Sequence, residues 1–299
     1  MAQTQTVAPL VGFLDRLRRT LDMIKFEHSI FAMPFALTGA LLAWREMQFQ
    51  VSSPTMKLLF IVIAMVGARS AAMTFNRILD AQIDARNPRT AMRHIPSGQL
   101  SLRFAWGFLI ASSTVFFLAS GALNPLCLLL SPVALGIILF YSYTKRFTSF
   151  AHLVLGLSLG IAPSAAWIAV TGALDYRIGL LSLAVMLWTA GFDIIYACQD
   201  TEFDQREGLF SIPARFGIAG ALLLSRVFHV GTVAALTLLS ISLSLSPWPV
   251  LPVALLLLYE HSLVRASDLS KVDMAFFTVN GFIGIAYFAG MAIEVFRNV

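Results

Sequence analysis

Residues 104–144, FAWGFLIASSTVFFLASGALNPLCLLLSPVALGIILFYSYT, run for 41 positions without an Asp, Glu, Lys or Arg. About 20 apolar residues in helical form cross the hydrocarbon core of a bilayer. The stretch therefore predicts two spans, divided at Gly121-Ala-Leu-Asn-Pro125. Further charge-free runs cover 147–174 and 227–259, the latter interrupted at Ser246-Pro-Trp-Pro249. The rest of the chain follows the same pattern. Of its 299 residues, 58% are apolar and only 12% charged, with a mean hydropathy of +0.79. A soluble domain carries about 25% charged residues. The composition excludes a soluble enzyme, a nucleic-acid binder and a disordered chain. It predicts an all-α, polytopic membrane protein, because helices satisfy every backbone polar group internally. Nine spans are expected, at about 29–44, 57–75, 104–121, 125–142, 150–170, 178–197, 218–243, 248–264 and 275–295. Pro34, Pro132 and Pro163 are expected to kink their spans.

Lys and Arg set the orientation. Fifteen of the 21 basic residues fall in the N-terminal segment and in the loops near 76–103, 145–146, 198–217 and 265–271. Four lie on the other side, and Arg69 and Arg226 lie within spans. The basic side is expected to face the cytoplasm, so the net charge of +5 reflects topology and not a nucleic-acid footprint. Residues 1–28 form a separate N-terminal segment. Within it Leu10, Leu14, Leu17, Leu21 and Ile24 recur at helical spacing with basic residues between, the pattern of an amphipathic helix lying in the interface. No signal-peptide pattern precedes it, and insertion is expected through the first span. Cys127 and Cys198 form neither a disulfide framework nor a metal-ligand spacing.

The chemistry concentrates in two acidic segments on the basic side. Asn76, Asp80 and Asp84 recur every four residues, which on a helix places them on one face. Tyr196, Asp200 and Asp204 repeat that spacing, with Asp193 one heptad before Asp200. Like charges at i,i+4 repel, and charge beside a membrane is costly unless paired or metal-bound. A hard divalent cation such as Mg²⁺ reverses the sign, since it takes oxygen ligands and keeps water and phosphate oxygens in its shell. Two carboxylate-lined helix ends facing each other offer room for two ions with a diphosphate between them. Any one of these aspartates read alone is a solvated loop acid or a helix cap; two spaced triplets on one face are not readily explained that way.

These motifs resemble the UbiA superfamily of intramembrane prenyltransferases. That family has nine helices around a central cavity, with Asp-rich motifs after the second and the sixth. Its first motif often reads N-D-x-x-D-x-x-x-D; here Arg77 stands at the second position and removes one acidic ligand. Tyr196, Asp200 and Asp204 match Y-x-x-x-D-x-x-x-D. Arg93-His-Ile-Pro-Ser-Gly98 resembles R-P-L-P-S-G, with His94 in place of proline. Tyr141-Ser-Tyr-Thr-Lys145-Arg146 is similar to Y-x-x-x-K-R, and Arg69 stands two helical turns before Asn76, as in the family. Lys25-Phe-Glu-His-Ser-Ile-Phe-Ala-Met-Pro-Phe35 and Asn76-Arg…Asp84-Ala-Arg-Asn-Pro-Arg-Thr90 resemble the branch of 4-hydroxybenzoate polyprenyltransferases.

The resemblance makes residues 29–299 a transmembrane prenyltransferase domain. It implies Mg²⁺-dependent transfer of a polyprenyl group from its diphosphate to an aromatic acid, foremost 4-hydroxybenzoate, in ubiquinone or menaquinone biosynthesis. Asn76, Asp80 and Asp84 are implied ligands of one ion, and Asp200 and Asp204 of a second. Asp80, Asp84, Asp193, Asp200 and Asp204 are the implied catalytic group. Arg69, Asn76, Lys145, Tyr196 and Arg93 are the implied substrate-binding residues. Lys145 and Arg146 are equally well read as topology charges. His28 and Glu27 read as interface residues, Cys198 as structural, and Glu260 and His261 have no supporting motif. The location implied is a bacterial-type inner membrane with the Asp-rich segments cytoplasmic, and no obligate protein partner is expected.

Competing readings remain at this point. A 1,4-dihydroxy-6-naphthoate-type acceptor of the futalosine route, or homogentisate, haem or a chlorophyllide, fits the same motifs. A transporter or channel would line an ion path with the acids and Arg69, although they cluster at one face and not along a midplane. A purely structural membrane protein leaves the acids unexplained.

Overall fold

The computed structural model describes residues 12–24 and 31–297. Among them the regular elements are all helices, and they follow from apolar runs closed by polar caps. The helices are α1 (Phe13–Ile24), α2 (Met33–Glu46), α3 (Pro54–Arg86), α4 (Leu102–Leu123), α5 (Pro125–Thr144), α6 (Ala151–Thr171), α7 (Ile178–Ala197), α8 (Thr201–Glu207), α9 (Ile212–Ser242), α10 (Val250–Leu263) and α11 (Asn280–Arg297). A 3₁₀ turn, Cys198–Asp200, joins α7 to α8, and a π-helical turn, Met274–Val279, leads into α11. Side chains start the long spans. Asn124 Oδ1 accepts from Cys127 N at 2.9 Å, and Ser211 Oγ from Ala214 N at 3.2 Å, each satisfying an orphan first-turn donor.

Seven helical stretches are long and apolar enough to cross a bilayer. The count of nine is not met by length. α2 and α10 have 14 residues each, about 21 Å of helix against a core of about 30 Å. The second expected span is, in contrast, too short. α3 runs for 33 residues to Arg86, so Asn76, Asp80 and Asp84 lie on helix and not in a loop. α9 begins six residues early because Gly217, with φ of 70°, bends the chain between two helical pieces. Pro132 and Pro163 lie inside α5 and α6, whereas Pro34 sits in the first turn of α2, where its missing N–H costs nothing. The expected amphipathic segment is helical over 13–24, with Leu21 outward and Met23 and Thr20 buried. Leu10, Lys25, Glu27 and His28 lie outside the described residues.

Two apolar cores hold the bundle. One gathers α2, α6, α7, α9, α10 and α11 around Trp188, Phe35 and Tyr287. The other joins α3, α4 and α5 around Ala71, Leu109 and Leu135. Leu118, Leu129, Val133, Leu255 and Leu258 project outward, as a lipid-facing surface requires. The α6–α7 contact depends on Gly156 and Gly160, four residues apart. A Cβ on Gly156 would stand 2.1 Å from Met186 O, and one on Gly160 would stand 2.6 Å from Ser182 O. Small residues at this spacing let membrane helices approach backbone to backbone. Gly156→Ala is therefore expected to push α7 away and to destabilise the protein by about 1–3 kcal/mol, read as a lowered Tm in detergent. Gly136→Ala, where a Cβ meets nothing, is expected to leave Tm unchanged.

Candidate active site

A cavity of about 720 Å³ opens between the two cores. Every site residue expected from the sequence lines it: Arg69, Asn76, Asp80, Asp84, Arg93, Lys145, Asp193, Tyr196, Asp200 and Asp204. The extension of α3 carries the first acids. The break after α7 carries the second: Tyr196 lies in the last turn of the helix, Asp200 closes the 3₁₀ turn and Asp204 sits on α8. The regular four-residue spacing of the second motif thus crosses a change of helix and not one continuous face.

The structure adds a partner for almost every acid. Asp80, 2% exposed, accepts from Lys145 Nζ at 2.6 Å, Arg146 Nη2 at 3.0 Å and Asn76 Nδ2 at 3.0 Å. Asp84, 4% exposed, accepts from Arg93 Nη1 at 2.7 and 2.8 Å, and Arg77 Nη1 stands 3.9 Å away. Arg89 grips both oxygens of Asp200 and donates to Tyr196 Oη at 3.2 Å. Asn87 Nδ2 reaches Asp200 Oδ1 at 3.3 Å, so the end of α3 touches the second motif directly. Burial works to lower the Arg89 pKa, but the hydrogen bond and charge of Asp200, with Tyr196, carry it above the usual arginine value. Lys145 and Arg146 are therefore more than topology charges: both hold Asp80. Buried carboxylates need such partners, because an uncompensated one is strongly destabilising.

Asp204 and Asp193 differ. Among the described residues neither pairs with Lys or Arg. Asp204 stands beside Ser211. Asp193 Oδ2 lies 2.7 Å from His152 Nδ1, while His152 Nε2 accepts from Ile212 N at 3.4 Å. With Nε2 acting as acceptor, the proton belongs on Nδ1, so a neutral imidazole donates to Asp193.

Deeper in the cavity, Arg69 has no hydrogen bond or ion pair among the described residues, and its Nε is buried without a partner. A charged side chain inside a span without protein partners marks a candidate functional site. Arg89, Asn87 and His152 were not singled out from the sequence. Arg89 stands in the quoted Asn87-Pro-Arg89-Thr90, whose only apparent signal was its likeness to one branch. His152 is the sole titratable group in the run 147–174, a signal that spacing alone cannot turn into a role. Cys198 is buried and bonded to Ile194 O, consistent with a structural thiol. Glu260, also unassigned, is fully buried and bonded to Asn280.

The donor set suits a hard cation. Asp80, Asp84, Asp200 and Asp204 offer carboxylate oxygens, and Asn76 keeps its amide oxygen free of the bond that its Nδ2 makes to Asp80. No group of three or more His, Cys, Asp or Glu among the described residues is gathered tightly enough to hold an ion alone. An ion at either motif would complete its shell with water and phosphate oxygens, the habit of Mg²⁺.

Fold and cavity define a membrane-embedded helical enzyme with an acid-and-arginine mouth above an apolar chamber. The UbiA prenyltransferase family model matches residues 32–282. The chain belongs to that family and is a prenyltransferase, which sets aside the transporter reading. It is 31% identical to the 4-hydroxybenzoate octaprenyltransferase of Photobacterium profundum over 246 residues, 81% of this chain and 85% of that one. The apo structure of a UbiA homolog from Aeropyrum pernix K1 superposes with a TM-score of 0.80 at 34% identity, covering 90% of this chain and 98% of that one. A UbiA homolog from Archaeoglobus fulgidus bound to DMAPP and Mg²⁺ shares the fold, with a TM-score of 0.72 at 19% identity over 93% and 99% of the two chains.

Proposed function

We propose that the protein transfers a polyprenyl group from its diphosphate to 4-hydroxybenzoate, with Mg²⁺ at the two Asp motifs, from the cytoplasmic side of a bacterial inner membrane. The unpartnered Arg69 guanidinium, in the same cavity as both Asp motifs and two helical turns from Asn76, carries the reading: the acidic mouth suits a diphosphate and the deeper guanidinium a carboxylate. The curated relatives named for 4-hydroxybenzoate support the choice of acid. Residues 1–28 are proposed as an interfacial segment and 29–299 as the catalytic bundle.

Asn76, Asp80 and Asp84 are the proposed ligands of one ion, Asp200 and Asp204 of the other. Bound Mg²⁺ would neutralise the diphosphate and improve it as a leaving group. Lys145, Arg93 and Arg89 each hold a carboxylate at the mouth and are placed to exchange it for a diphosphate oxygen. Tyr196, already a partner of Arg89, braces that exchange. The C–O bond of the prenyl diphosphate breaks with its electron pair going to diphosphate. The chamber keeps water from the allylic cation. Arg69 orients the acid so that a carbon ortho to the phenol forms the new C–C bond. Asp193, set by neutral His152 and free of basic partners, is the carboxylate proposed to take the ring proton.

The test is an assay in native membranes with geranyl diphosphate and either 4-hydroxybenzoate or 1,4-dihydroxy-6-naphthoate. The expected outcome is pyrophosphate release coupled to prenylated 4-hydroxybenzoate, silenced by EDTA and restored by Mg²⁺. Turnover indifferent to chelation would remove the ions from the mechanism. Preference for the naphthoate would move the acceptor to the futalosine-type compound while leaving the chemistry intact.

A further inference from the structure

An aromatic wall begins about one helical turn below Asp200. Tyr196 and Phe276 stand 4.2 Å apart between ring centroids, Phe276 and Phe192 5.2 Å, and Phe276 and Phe31 6.0 Å. All four line the cavity. Phe276 touches each of the others and is the hub of the wall.

Phe276 is held in an uncommon way. It lies in the π-helical turn Met274–Val279, and such turns are rare and frequently found at functional sites. Asn280 clamps the turn. Its Nδ2 donates to Ala275 O at 3.0 Å and Phe276 O at 3.2 Å, and to Glu260 Oε1 at 2.9 Å. Its Oδ1 accepts from Trp188 Nε1 at 2.7 Å. Asn280 and Glu260 are both fully buried. A buried polar network inside a bilayer is costly, and this one is kept although Glu260 Oε2 has no hydrogen-bond partner, with His229 Nδ1 3.7 Å away; its bonds fix the backbone that presents one ring.

We propose that Phe276 is the aromatic face that covers the allylic cation, and that Asn280, with Trp188 and Glu260, is its positioning clamp. The proposal rests on the prenyl-transfer reading. A diphosphate held at Asp80, Asp84, Asp200 and Asp204 places its allylic carbon one turn deeper, at the level of the Tyr196–Phe276 pair. As the C–O bond breaks, positive charge develops there. A ring face within about 6 Å attracts such charge, the more so when water is excluded. The same ring occupies the space from which water would attack the cation, forming a prenyl alcohol and releasing a proton.

The experiment measures both products from geranyl diphosphate and 4-hydroxybenzoate, together with pyrophosphate. Phe276→Leu keeps an apolar side chain and removes the π face. It is expected to lower pyrophosphate release by on the order of tenfold and to raise the geraniol share. The KM for 4-hydroxybenzoate is expected to stay unchanged. Phe276→Tyr restores the face and is expected to recover most of the rate. Asn280→Ala is expected to shift the product ratio in the same direction as Phe276→Leu, which a loss of stability alone would not do. A wild-type product ratio and rate in Phe276→Leu overturn the proposal. If wild-type protein releases no pyrophosphate, the prenyl-transfer reading fails first and takes this inference with it.

Discussion

Asp80→Asn is expected to reduce prenyl transfer by on the order of a thousandfold, and Asp200→Asn likewise. Each substitution keeps the side chain's shape and deletes one negative charge at the mouth. Three effects coincide at Asp80. An oxygen ligand of the proposed ion weakens, Lys145 and Arg146 lose their shared anion, and the hydrogen bond from Asn76 changes partner. The second effect bears on folding as well as on chemistry, because breaking a buried pair leaves charge uncompensated. Here the cost is softened, since the Lys145 and Arg146 side chains remain about a third exposed. The variants are therefore expected to melt cooperatively at slightly lower temperature while losing turnover. Rate and Tm measured on the same membrane extract separate the two. Arg86→Gln serves as the control, because its pair with Glu207 is more open, with Arg86 60% exposed, and full activity is expected. Wild-type turnover in Asp80→Asn would release Asp80 from any role in binding the diphosphate.

The sequence showed the bundle because bilayer physics is written in composition: a 41-residue run without charge has few alternatives. It showed the acids because Asn76, Asp80 and Asp84 keep one helical face, and the structure carries α3 through all three. It could not show the partners. Arg89 and Asp200 are 111 residues apart, and Lys145 and Asp80 are 65 apart. No periodicity links such positions, so the acids read as bare when in fact they are paired. The expected spans 29–44 and 248–264 come out as α2 and α10, at 14 residues each, for a related reason. Hydropathy marks apolar residues, but the helix ends are set by local turns such as the one at Pro249, and these trim both helices to 14 residues. The π-helical turn was equally hidden, since Met274–Val279 reads as ordinary apolar helix until Asn280 is seen to bond Ala275 O.

Arg69 offers the sharpest test of the acceptor, because its isolation makes the outcome separable from stability. Most buried charges support a protein partner, so removing them harms the fold. Arg69 has none among the described residues, and its Nε is buried without an acceptor. Arg69→Met is thus expected to fold as well as wild type or slightly better, the desolvation cost of the guanidinium having been removed. Catalysis should respond oppositely. Losing a charged contact to a bound carboxylate costs about 2–5 kcal/mol, which corresponds to a fall of roughly thirtyfold to several thousandfold in kcat/KM for 4-hydroxybenzoate. The KM for geranyl diphosphate should move much less, since Arg69 stands two helical turns, about 10 Å, before Asn76 on α3. Phenol completes the comparison. Wild-type protein is expected to prefer the acid over phenol by about the factor that the substitution removes, and Arg69→Met to treat the two alike. If the variant kept its preference for the acid, the carboxylate would have to bind elsewhere, and Arg69 would instead belong with the groups that meet the diphosphate.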